Sequence, residues 1–272
     1  MPRFHGQRTA GRGRQRKSSA ASGSRRIDRV TSFAATPDRS SSSLPAGVLW
    51  DMDGTIVDTE PYWMRAEEEL VAEFGVSWTH DDSLEIVGAT LSHAARTFQG
   101  RGVDLSEDEI IARLSNRVIE QIRVEVPWRP GARELLAELK AEGIPAALVT
   151  MSYREMAELV VEAIGDDVFA AIVTGDSVTH GKPHPEPYLR GAAALGVDVA
   201  DCVAIEDSRT GVASAVASGA ATIGIPLHVE LPQSSEYTLW ESLAGRSVAD
   251  LRAVIEAQLQ VVEQGAPAGA GA

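Results

Sequence analysis

The sequence predicts an α/β protein, a doubly wound, Rossmann-like parallel sheet core with an inserted α-helical cap domain. Three observations carry that expectation. Short, wholly apolar runs alternate with stretches of helical period, as in βαβ units. The runs do not alternate apolar with polar, so they read as parallel strands buried on both faces. One long stretch, 60–126, keeps the helical period with no strand inside it.

The elements follow in order. The first strand is Val48-Leu49-Trp50. The helical insertion shows its apolar faces in Ala66-Leu70-Val71-Phe74 and Ile110-Ile111-Leu114-Val118-Ile122, three or four residues apart. A helix over 131–141 follows Arg129-Pro130, and a strand over 144–150 comes next. Ser152 with Glu155 three residues on forms a capping box for a helix over 152–164. After a strand at 171–174, prolines open and Gly196 closes a helix over 185–195. Strands at 202–205 and 221–225 flank a helix at 209–218. The predicted organisation is a disordered basic tail (1–46), a core (47–60 and 127–262), a cap (61–126) and a flexible C-terminus (263–272).

Charge separates the tail from the body. The chain carries a net charge of -14, yet residues 1–46 hold ten basic side chains and only two acids. The remainder is strongly acidic and should repel polyanions, so no nucleic acid is expected for the folded body. No run reaches the roughly 18 apolar residues of a membrane span, so no membrane partner is expected. The single cysteine, Cys202, excludes a disulfide within the chain and suits a cytoplasmic location. Composition adds no strong oligomeric signal, and a monomer or weak dimer is the expectation.

Chemistry concentrates at the predicted carboxyl ends of strands, where open α/β sheets bind ligands. The first strand runs into Asp51-Met52-Asp53-Gly54-Thr55. In extended backbone Asp51 and Asp53 point the same way, and two carboxylates so close need a cation or a shared proton. The second strand ends in Thr150, a hydroxyl beside a helix N-terminus that favours anions. Lys182 stands between Gly181 and Pro183 and is one of only two lysines in 47–272, against thirteen arginines. A compact point charge on a rigid loop is what distinguishes lysine from arginine. Glu206-Asp207-Ser208 closes the fourth strand with hard oxygen ligands suited to Mg²⁺. Each cluster alone could be a solvated turn or a helix cap. Together they form the set that phosphoryl transfer to a carboxylate requires.

These residues, Asp51-Met52-Asp53-Gly54-Thr55-Ile56-Val57-Asp58-Thr59-Glu60, Thr150, Gly181-Lys182-Pro183 and Glu206-Asp207-Ser208, resemble the four motifs of the haloacid dehalogenase superfamily. They fit the subgroup with a small helical cap, which includes phosphoglycolate phosphatase and β-phosphoglucomutase. The resemblance covers about 46–227 and implies a phosphatase of a small phosphorylated metabolite, a sugar phosphate or a phosphoglycolate-like ester. It implies Asp51 as nucleophile and Asp53 as general acid and then base. Thr150 and Lys182 would bind the phosphoryl group. Asp51, the Asp53 carbonyl and Asp207 would hold Mg²⁺, with Glu206 assisting.

The resemblance also sorts the subgroup. Dehalogenases lack the second acid, which Asp53 supplies here. The alternatives are a mutase of the β-phosphoglucomutase type and an inactive metabolite-binding relative. Aligned on the first motif, Trp63 stands where mutases carry a His; aligned on Gly88, Leu91 stands at their substrate-loop Arg. Both departures favour a phosphatase. Met151 replaces an Asn common among relatives. In the cap, Trp63 and His93 are candidate substrate residues, Tyr62 and Arg96 are read as packing or solvated, and His80, His180 and His184 as incidental.

Overall fold

The computed structural model describes residues 44–87, 90–165 and 167–265. The expectations for 1–43, Gly88 and 266–272 lie outside the described residues. Six parallel strands form one sheet in the order β3-β2-β1-β4-β5-β6. They are β1 (Gly47–Trp50), β2 (Ala146–Val149), β3 (Ala171–Val173), β4 (Cys202–Glu206), β5 (Ala221–Gly224) and β6 (Thr238–Leu239). The sheet winds one way from β1 to β3 and the other way from β4, so the reversal falls between β1 and β4. Register pairs Trp50 with Leu148 on one side and with Ile205 on the other. The residue after β1 and the end of β4 therefore meet at the reversal, where such sheets bind ligands.

Alternation along each strand divides the core. Val48, Trp50, Leu148, Val203 and Ile205 join one buried cluster, whereas Leu49, Ala147, Val149 and Ala204 join the other. Helices α5 (Ala132–Glu142), α6 (Arg154–Ile164) and α9 (Val248–Gly265) cover the first face. Helices α7 (Glu186–Leu195) and α8 (Arg209–Ser218) cover the second. With both faces covered, strand residues can be apolar throughout, as the sequence required.

The insertion holds α1 (Glu60–Glu73), α2 (His80–Ile86), α3 (Leu91–Arg101) and α4 (Glu107–Val124). Its apolar faces lie where their spacing placed them: Ala66, Leu70, Val71, Ile110, Ile111, Leu114, Val118 and Ile122 are buried, while Phe74, at the C-cap of α1, packs half-buried against them. Ser106 and Glu109 form a reciprocal capping box at the start of α4. No helix among the described residues is long and apolar enough to cross a membrane.

Both predicted limits of the core and one strand differ from expectation. Leu44 packs against the core and the Ala46 N–H donates to Asp201 O at 2.8 Å, so ordered chain starts before residue 47. At the other end α9 runs to Gly265, three residues into the stretch expected to be flexible. The strand β6 went unread because two residues are too few to show a period.

Candidate active site

The site forms where β1, β2 and β4 end. Asp51 follows β1 directly, and its N–H donates to Ile205 O at 3.0 Å, so β4 fixes its backbone. Gly54 then turns the chain at φ 86°. A Cβ there would run into the Asp207 carboxylate, so the turn needs glycine twice over. Buried Arg129 donates to the Gly54 and Ile225 carbonyls and ties this turn to the loop after β5.

Lys182 organises the anionic floor. Its Nζ donates to Asp51 Oδ1 at 2.6 Å, to Glu206 Oε1 at 2.6 Å and to Val149 O at 2.9 Å. Three acceptors converge on one nitrogen, which a flat guanidinium could not satisfy. Lys182 is only 5% exposed, and burial opposes its charge, but Asp51 and Glu206 outweigh that and raise its pKa. Tyr188 also donates to Glu206 Oε1, while Glu206 Oε2 accepts from the Asp207 N–H, the Ser208 N–H and Ser208 Oγ. Glu206 thus joins the lysine to the N-terminus of α8.

One cation faces several carboxylates, and the balance is negative. Burial and the nearby Glu206 and Asp53 push Asp51 up to about 7, against the pull of Lys182. Burial, Asp51 and Glu206 likewise raise Asp207 well above the carboxylate range. Asp51 Oδ2 is buried without a hydrogen-bond partner, and oxygens of Asp51, Glu206 and Asp207 lie within 4.8 Å of one another. An orphaned carboxylate oxygen amid hard oxygen donors fits a Mg²⁺ ion.

Asp53 sits in a cradle of hydroxyls. Thr59 Oγ1 donates to its Oδ1 at 2.6 Å, and Ser152 Oγ and Thr150 Oγ1 donate to its Oδ2 at 2.7 and 3.2 Å. One of these donors corrects the sequence reading. Ser152 was expected to cap the helix after β2, but α6 starts at Arg154 behind Tyr153 with no side-chain cap. Thr59 stands at the N-cap of α1 and likewise makes no cap bond. Both hydroxyls donate to Asp53, where a charged acceptor makes a stronger bond than a neutral oxygen would, and neither accepts a helix N–H. For Ser152, a second hydroxyl close behind Thr150 at the end of β2 was the available signal.

A cavity of about 300 Å³ opens beside Ser152, between α1, α3, α4 and the start of α6. Trp63 and Leu91, the two positions that depart from the mutase pattern, both line it. His93 does not; its side chain is exposed on the first turn of α3. Tyr62 donates to Glu125 O at 3.0 Å and Arg96 pairs with Glu107 at 3.5 Å, both near solvent. His180, His184 and Glu186 form a second group of ligand-type atoms. Its bonds are local: Glu186 accepts from the Thr179 and His180 N–H groups and pairs with Arg190, and its own N–H donates to His184 Nδ1. The group fastens the loop bearing Lys182 to α7. The Met151 sulfur accepts the Lys182 N–H at 3.4 Å, which gives that residue a place in the same loop contact.

The model of a known family, Haloacid dehalogenase-like hydrolase, matches residues 48–225. Hexitol phosphatase B of Escherichia coli is 33% identical over 182 residues, spanning 65% of this chain and 82% of the relative. Protein CbbY of Rhodobacter capsulatus is 31% identical, over 75% of this chain and 91% of its own. Among solved structures, CbbY from Rhodobacter sphaeroides in complex with phosphate superposes with a TM-score of 0.69 at 28% identity. That match covers 76% of this chain and 99% of the other.

Proposed function

The chain belongs to the haloacid dehalogenase-like hydrolases, and on that premise we propose a Mg²⁺-dependent phosphatase that cleaves a small phosphate monoester through an aspartyl phosphate. It is a phosphoric monoester hydrolase, and its partner is a small phosphorylated metabolite. The observation that carries the mechanism is the pair of environments two residues apart. Asp51 has one oxygen held by Lys182 and the other buried and free, whereas Asp53 is surrounded by hydroxyls.

Asp51 attacks phosphorus in line, and the bond to the leaving oxygen breaks as Asp53 delivers a proton to it. Asp53 then removes a proton from water, which attacks the aspartyl phosphate and regenerates Asp51. Thr59 and Ser152 keep Asp53 aimed, and Lys182 offsets charge on the phosphoryl oxygens together with the Thr150 hydroxyl, whose one proton leaves Asp53 for the substrate. Asp51, Asp207 and the Asp53 carbonyl would hold Mg²⁺, with Glu206 assisting; the ion supplies electrostatic stabilisation of the transferring group.

By the resemblance, a mutase carries a His in the first cap helix and an Arg in the cap's substrate loop. Trp63 and Leu91 place an indole and an aliphatic group at those positions instead. Asp51→Asn should retain the fold and leave less than about a thousandth of the phosphate release, since an amide forms no acyl phosphate. Activity above that level would remove Asp51 from the role. Isomerisation of β-glucose 1-phosphate without phosphate release would restore the mutase reading. The inactive reading survives only if no ester is cleaved.

A further inference from the structure

Resting on the phosphatase reading, we infer that the cavity between cap and core selects esters whose alcohol portion is uncharged and hydroxylated, and that Asp108 enforces this by repelling a second anionic group. Three features of the cavity carry it. First, its lining contains no Lys, Arg or His, but it does contain two acids, Asp108 and Glu155. Glu155 faces Arg123 across 3.9 Å, whereas Asp108 has no basic partner among the described residues. Asp108 is exposed at the mouth, so its repulsion is screened by solvent, but a second phosphate or a carboxylate brought here would meet a like charge and no cation in the lining.

Second, the polar groups on offer suit hydroxyls. Ser115 and Asn116 line the wall on α4, and Ser115 Oγ is buried with no hydrogen-bond partner. An orphaned hydroxyl both donates and accepts, as a substrate alcohol does. Leu91, Ile111, Ile119, Met156 and Trp63 supply the apolar remainder, which suits the C–H groups of a polyol. Third, about 300 Å³ is at the lower end for ligand sites and bounds the leaving group to a small molecule. Ser152, on the cavity wall, donates to Asp53 and so joins this space to the general acid.

The test compares kcat/KM, with Mg²⁺ present, for sorbitol 6-phosphate, ribulose 1,5-bisphosphate, 2-phosphoglycolate and p-nitrophenyl phosphate. The wild-type chain should prefer sorbitol 6-phosphate to the bisphosphate and to phosphoglycolate by at least about tenfold. Asp108→Lys should shrink that ratio about tenfold, and Asp108→Asn by a smaller factor in the same direction. An acid in the first turn of α4 favours the helix, so melting curves accompany both variants; Asp108→Asn keeps the shape of the side chain and carries the test if the lysine variant melts early. Equal turnover of esters with neutral and with anionic alcohol portions, or a ratio that ignores residue 108, would overturn the inference. Silence toward every ester, p-nitrophenyl phosphate included, would overturn the phosphatase reading itself and this inference with it.

Discussion

Glu67 shows at the scale of one residue how a buried charge behaves away from the chemistry. It is 5% exposed within the cap, and its Oε2 accepts from Ser83 Oγ at 2.7 Å, which in turn accepts the Trp78 indole N–H at 2.8 Å. Burial raises its pKa above the ordinary glutamate value despite the Ser83 and Trp78 contacts. The folded state therefore holds this proton more tightly than the unfolded chain. Its contribution is fully present below the unfolded value and is lost as pH rises through the folded one. Glu67→Gln keeps an acceptor for Ser83 without the charge. It should raise stability at pH 8 by about 1 kcal/mol and flatten the decline from the ordinary glutamate range upward. A lower melting temperature at pH 8 would show that the charged form is the one the cap stabilises.

At the scale of an element, α8 is a helix whose start is built around a carboxylate. Ser208 Oγ accepts the Gly211 N–H at 3.0 Å and also donates to Glu206 at 3.1 Å. Helix propensity alone would credit Gly211→Ala with about 1 kcal/mol. The structure reverses that sign, because a Cβ at 211 would occupy the space of the Glu206 carboxylate. Glu206 must then move, and with it one of the three acceptors of Lys182. We expect Gly211→Ala to destabilise by about 2–4 kcal/mol and to lower phosphate release at least tenfold, read by thermal melts and initial rates. A stabilised variant would mean that the α8 start and the lysine are not mechanically joined.

For the whole molecule, the proposed Mg²⁺ site, where Asp51, Glu206 and Asp207 crowd together beside Lys182, would make the folded state a better Mg²⁺ ligand than the unfolded chain. Binding to the folded form alone stabilises by mass action, about 2.7 kcal/mol at a hundredfold excess over Kd. For a folded unit of this size that corresponds to about 5–10 °C in Tm. Saturating Mg²⁺ should produce such a rise, chelation should remove it together with activity, and Asp207→Asn should abolish the response. A melting curve indifferent to Mg²⁺ would argue that these acids are relieved by shared protons instead.

The sequence by itself determined the layers and the chemical inventory. Strand runs such as Val48-Leu49-Trp50 and the 3.6-residue spacing on α4 are local patterns, and burial on a sheet face or helix stripe follows from them directly. Asp51, Asp53, Thr150, Glu206 and Asp207 were legible because they fall at or just beyond strand ends, which the parallel sheet brings to one edge, whereas Lys182 lies well past β3 and stood out as a lysine in an arginine-rich body. Only the tertiary structure decided which partner each polar group takes. Ser152 and Thr59 carry the local signature of helix caps, yet their hydroxyls reach Asp53 across the chain. His93 and Trp63 are both cap residues within reach by sequence, but only Trp63 enters the cavity, because the packing of α1 and α3 on α4 sets which side of each helix it meets. A hydrogen bond or a cavity wall is a relation between distant segments, and no pattern confined to one segment encodes it.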